Sequence, residues 1–220
     1  MRSGLDRQLR MLQDEVLMMG GMVEKSIARA LDSLTRRDLE AAEQVIREDD
    51  YIDRKRFDIE EHCIDLIATQ QPMAGDLRIL ISILHITVEL ERMGDYAEGI
   101  ARINVLMGDE PLLKPLIDIP RMAEKATSML RRSLDAMVNR DTLTALQVCK
   151  DDDDVDALYD QIYRELLLFM IQDPSTIQRA TYLLWVAHDL ERIADRATNV
   201  AERVVYMVTG RMEEINVSKY

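Results

Sequence analysis

The sequence predicts an all-α fold: six long helices forming two pseudo-symmetric antiparallel three-helix bundles. Three observations predict it. Gly (8) and Pro (5) are scarce among 220 residues, Met (14) is plentiful and aromatics make up 5%, a profile that suits long helices better than sheets, which favour aromatic and β-branched residues. Apolar residues recur at helical spacing, at Ile83, Ile86, Leu90, Met93, Ala97 and Ile100, then at Leu183, Ala187, Leu190, Ala194, Ala197 and Ala201. The chain is also written twice.

The repeat shows at two places. Residues 89–95 read E-L-E-R-M-G-D and residues 189–195 read D-L-E-R-I-A-D, identical at four of seven positions with an offset of 100. Residues 30–53 align without gaps on 133–156 at an offset of 103, agreeing at Leu31, Asp32, Arg37, Asp38, Ala42, Gln44, Val45, Asp49, Asp50 and Asp53. Turn signals then divide each half into three helices. Arg36-Arg37-Asp38 and Asn139-Arg140-Asp141 end the first helix, and each Asp can N-cap the second. Gln71-Pro72 and Asp173-Pro174 end the second, because proline restricts its predecessor and starts helices well. Gly108 to Pro120 has the Gly, Asp and Pro content of a linker. The expected organisation is therefore a first unit at 1–108, a linker at 109–120 and a second unit at 121–220. Helices of about 25–35 residues are roughly 40–50 Å long, and short connections make neighbours antiparallel. Gly20-Gly21, inside the first helix, reads as a bend or a close helix approach.

Charge excludes some functions. A net charge of −13 disfavours nucleic acid, whose phosphates call for clustered Lys and Arg, and direct adhesion to anionic lipid. The uncharged run Ile79 to Val88 is too short for a bilayer span, which takes roughly 20 residues, and residues 1–15 do not read as a signal peptide. Cys63 and Cys149 are far apart and read as free packed thiols in a reducing compartment.

The repeated motif carries carboxylates that should repel. Glu91 and Asp95, like Glu191 and Asp195, are i,i+4 pairs on one helix face. Uniform helical rise around the Gln71-Pro72 turn puts Asp53 level with Glu89–Glu91 and Asp49 level with Asp95; around Asp173-Pro174, Asp156 falls level with Glu191 and Asp152 with Asp195. Such clusters take up protons or bind cations, and an all-oxygen set suits Mg²⁺, Mn²⁺, Ca²⁺ or ferric iron. A solvated acidic face is the alternative, because axial height does not fix rotation. His188 shares a face with Glu191 and Asp195 and reads more readily as packed or solvated than as a ligand.

At these residues the sequence resembles the PhoU family of phosphate-signalling regulators, over nearly the whole chain. The resemblance is carried by Met18-Met19-Gly20-Gly21-Met22-Val23, by Gln71-Pro72-Met73-Ala74-Gly75-Asp76-Leu77-Arg78, and by the two E-R-[MI]-[GA]-D motifs, the second followed by Arg196-Ala-Thr-Asn-Val-Ala-Glu202. One position departs: the family pattern has Asn where this chain has Gly99, whereas Asn199 is kept. The resemblance implies a non-enzymatic negative regulator of phosphate uptake and phosphate-responsive signalling. It implies metal sites at the motifs, drawing on Glu89, Glu91 and Asp95 in one copy and on Asp189, Glu191, Asp195, Asn199 and Glu202 in the other, with Asp49, Asp53, Asp152 and Asp156 facing them. Iron, zinc, manganese or magnesium are the implied ions. The implied partners are the ATPase subunit of the phosphate ABC transporter, a PhoR-type sensor kinase and a second copy of the chain, in the cytoplasm and peripheral at the inner membrane through those partners. A ferritin-like bundle needs Glu-x-x-His motifs, and no Glu here has His at i+3. A metal-independent acidic adaptor is the other alternative.

Overall fold

Capping chemistry sets the turns. Asp38 accepts a hydrogen bond from Ala41 N at 2.9 Å, and Asp141 accepts from Leu143 N and Thr144 N at 3.0 and 3.1 Å, so both aspartates N-cap the helices that follow. The computed structural model describes residues 2–212, leaving the first residue and the last eight of the two expected units outside the described residues. Its helices are α1 (Arg2–Arg36), α2 (Leu39–Glu48), α3 (Asp50–Gln70), α4 (Gly75–Met107), α5 (Asp118–Asn139), α6 (Thr142–Gln172) and α7 (Ile177–Thr209), with a 3₁₀ turn at Pro174–Thr176 between the last two. No strand occurs among the described residues.

Helices α2 and α3 make one rod. The helical ladder is interrupted at Asp49, which keeps helical angles (φ −59°, ψ −36°). Ile52 N, three residues on, donates to the Asp49 carbonyl at 2.8 Å, a 3₁₀-type closure that tightens one turn without reversing the chain. Six rods therefore form two antiparallel three-helix bundles. The linker is shorter than its sequence suggests: α5 begins at Asp118 and includes Pro120, since proline fits the first turn of a helix.

The central layer is α4 beside α7. Helix α4 packs on α1, α2 and α3 in its own bundle, α7 packs on α5 and α6, and the two lie along each other; α1 also meets α5. One continuous apolar core runs through both bundles, including Met19, Leu80, Ile83, Leu90, Met93, Leu130, Leu183 and Leu190. Gly20 belongs to the α1–α5 contact: a Cβ there would run into the Leu134 side chain, while Gly21 faces open space. Of the two mechanical readings of this pair, close approach is the one observed, and α1 is unbroken. Arg37, at φ 57°, bonds Asn104 and the Gly108 carbonyl and so ties the first turn to the linker. Cys63 and Cys149 are buried free thiols, both pushed up to about 12 by burial first. No helix among the described residues is long and apolar enough to cross a membrane.

Candidate metal centre

In the first bundle three carboxylates converge. Asp49 lies at the α2–α3 interruption, Asp53 one turn later on α3 and Asp95 on the facing side of α4; one oxygen of each lies within 4.8 Å of the others. Asp49 is only 9% exposed, and its Oδ1 is buried with no hydrogen-bond partner. Burial pushes its carboxyl up to about 7, and Glu98, Asp95, Asp53 and Glu91 push in the same direction. Asp95 rises to about 6, through burial, then Glu91, Asp53 and Glu98, with Arg92 opposing.

Gly94 makes the approach possible. A Cβ there would lie 3.1 Å from Asp49 Oδ1 and 3.1 Å from Ile52 Cδ1, tighter than ordinary van der Waals contact. Glu91, on the same face, is otherwise engaged: its Oε1 accepts from Arg56 at 3.0 Å, and Arg56 also reaches Glu60 at 2.8 Å. Glu98 faces Asp49 and pairs with Arg102 at 2.5 Å. Arg56 and Glu98 were not singled out from the sequence, although their places three residues after Asp53 and Asp95 put them on the same helix faces.

These residues fit a hard cation. Three carboxylate oxygens from two helices, one of them buried and without a donor, form a set that oxygen-seeking ions favour. No Lys, Arg or His nitrogen comes within ion-pair distance of Asp49, Asp53 or Asp95 among the described residues.

The second bundle is arranged differently. Asp152, buried, and Asp156 lie on α6, while Glu191 and Asp195 lie on α7. Asp195 Oδ2 is 2.6 Å from Arg192. Glu191 Oε2 is 3.6 Å from His188 Nδ1. Burial pushes Glu191 up to about 7; Asp195 and Asp156 add to this, and Arg192 and Arg196 oppose it. Glu202 and Asp152 both lie near Cys149, raising its thiol after burial has done so. Helix α6 has no interruption, and buried Ala194 stands where the first bundle has Gly94.

Glu89, Asp189 and Asn199 occupy the seam between α4 and α7, outside the trio. Glu89 Oε2 accepts from Arg196 at 3.2 Å and from Asn199 at 3.0 Å. Its repeat counterpart, Asp189, faces Gly99, where a Cβ would sit 2.8 Å from Asp189 Oδ2. Burial pushes Asp189 up to about 7.

Comparison with known proteins agrees with this architecture. The PhoU domain family matches residues 16–103 and again 119–204. The chain is 41% identical to a phosphate-specific transport system accessory protein PhoU homologue of Clostridium acetobutylicum, over 98% of this chain and 99% of that one. It is 43% identical to the Aquifex aeolicus homologue of the same description, over 94% of each. The crystal structure of PhoU from Pseudomonas aeruginosa superposes with a TM-score of 0.88 at 35% identity, covering 94% of this chain and 99% of that one. Two matches to one domain, near-complete coverage and a shared pair of bundles lead to one conclusion: this chain belongs to the PhoU family.

Proposed function

We propose that this chain is an accessory protein of phosphate-specific transport, acting as a non-enzymatic negative regulator of phosphate uptake and phosphate-responsive signalling. The observation that carries this reading is end-to-end similarity to proteins described as accessory to that transport system. The chain works by contact: in the cytoplasm, as a homodimer, it engages the transporter's ATPase subunit and a PhoR-type sensor kinase.

The carboxylate trio is the chemical part of the proposal. Asp49, Asp53 and Asp95 would hold a cation that accepts carboxylate oxygens, with iron, manganese, magnesium or zinc as candidates. A bound ion supplies positive charge that offsets mutual repulsion among the carboxylates. The chain's own part is to hold the three oxygens together from two helices, keep Asp49 from water and let Gly94 admit the close contact. The ordered α3–α4 surface is then what partners meet.

The test is affinity capture of the tagged full chain from phosphate-replete cells, with and without chelator. Recovery of the transporter ATPase or the sensor kinase, reduced by chelator, is the expected result. Recovery of neither contradicts the regulator reading, and recovery indifferent to chelator favours a metal-independent acidic adaptor.

A further inference from the structure

Each repeat carries an arginine at the same point of its motif, and the structure treats the two differently. Arg92 is exposed and makes no ion pair among the described residues. Arg192 is partly buried and lies 2.6 Å from Asp195 Oδ2. Across the seam, the Tyr96 side chain of α4 lies beside the same guanidinium and helps to hold its charge. Burial works against the charge of Arg192, but Tyr96, Asp195 and Glu191 more than offset it and keep it firmly cationic.

The asymmetry has a cause one position away. In the repeat alignment Arg92 corresponds to Arg192, and Tyr96 corresponds to Arg196. Arg192 thus has the Tyr96 side chain, and not a cation, beside it on α4. Arg92 would meet a second guanidinium on α7, one already held by Glu89 at 3.2 Å. Like charges repel, so Arg92 stays in solvent: its charge still acts on Asp95 but forms no ion pair with it, whereas Asp195 is already paired.

We propose that Arg192 is a resident counter-ion for the carboxylates of the second repeat, so that the first repeat binds a cation directly and the second only once Arg192 leaves Asp195. This rests on the cation reading above and adds that the two repeats are unequal sites, with a chain-encoded arginine setting the difference. It also places the coupling: Tyr96, which lies beside Arg192, directly follows Asp95 of the first site.

The experiment is calorimetric titration of Mn²⁺ alone into the metal-free full chain and its variants. Two classes of binding are expected, the tight one lost in Asp49→Asn and the weak one in Asp195→Asn. Arg192→Gln should tighten the weak class by about tenfold or more, equivalent to about 1.4 kcal/mol. Arg192→Lys, which keeps the charge, should leave it weak, and Arg92→Gln should move the tight class far less than Arg192→Gln moves the weak one. Should Arg192→Gln fail to fold, Tyr96→Phe removes the hydroxyl beside Arg192 and should tighten the weak class by roughly threefold. Equal affinities unmoved by Arg192→Gln overturn the proposal and leave the cation reading standing. No Mn²⁺ bound by any variant overturns both.

Discussion

Asp49 is held where water would otherwise solvate it, among carboxylates that raise its carboxyl to about 7. Its ordinary unfolded value is about 4. Between those values the folded chain binds the proton more tightly than the unfolded chain does, so this residue's contribution to stability falls as pH rises through that window. The metal-free protein is therefore expected to melt lower at pH 8 than at pH 5. Added Mn²⁺ should raise its melting temperature more at pH 8, where the carboxylates are charged, than at pH 5. Scanning calorimetry with and without ion measures both. Asp189 has the same sign of shift, with Gly99 opposite it and no hydrogen-bond or ion-pair partner among the described residues. Asp189→Asn should stabilise the protein at pH 8, by about 1 kcal/mol, do little at pH 5, and leave Mn²⁺ stoichiometry unchanged.

At the scale of elements, the α3–α4 hairpin shows what a sequence makes legible. Uniform rise sets axial height, so Asp49 could be placed level with Asp95 by counting from Gln71-Pro72, and the structure brings the two within reach of each other. Rotation about the helix axis depends on packing and cannot be counted. Glu89 turns to α7 and Asn199, and Glu91 is drawn to Arg56. The interruption at Asp49 was equally invisible, because no Gly or Pro marks it; the segment Arg47-Glu48-Asp49-Asp50 reads as ordinary helix. The close contact at Gly94 has a direct consequence. Gly94→Val forces a side chain against Asp49 and Ile52, which should cost about 1–3 kcal/mol, as overpacking does, and should weaken Mn²⁺ binding. Paired thermal melts and titrations test this. Gly20→Val tests the α1–α5 approach with a similar loss of stability and no change in Mn²⁺ binding.

Across the whole molecule, duplication gives both bundles one fold, while a few substitutions, such as Ala194 for Gly94, arrange their carboxylates differently. The repeat itself, the turns and the six rods follow from local signals: capping aspartates, prolines and apolar periodicity. The seam does not, because which residues of α4 meet α7 is decided by how two bundles dock. Glu89, Arg196 and Asn199 form its polar joint, with Glu89 and Arg196 both largely shielded from solvent. Removing one partner of a shielded pair strands the other. Arg196→Ala should therefore cost about 2 kcal/mol, a value discounted for partial exposure, seen as a melting temperature several degrees lower. The most direct test of the trio as a cation site is elemental analysis of the purified full chain beside its Asp49→Asn variant. The expected result is near-equimolar bound metal in the parent, most of it lost in the variant. A metal-free parent, or a variant that keeps the full complement, would contradict it.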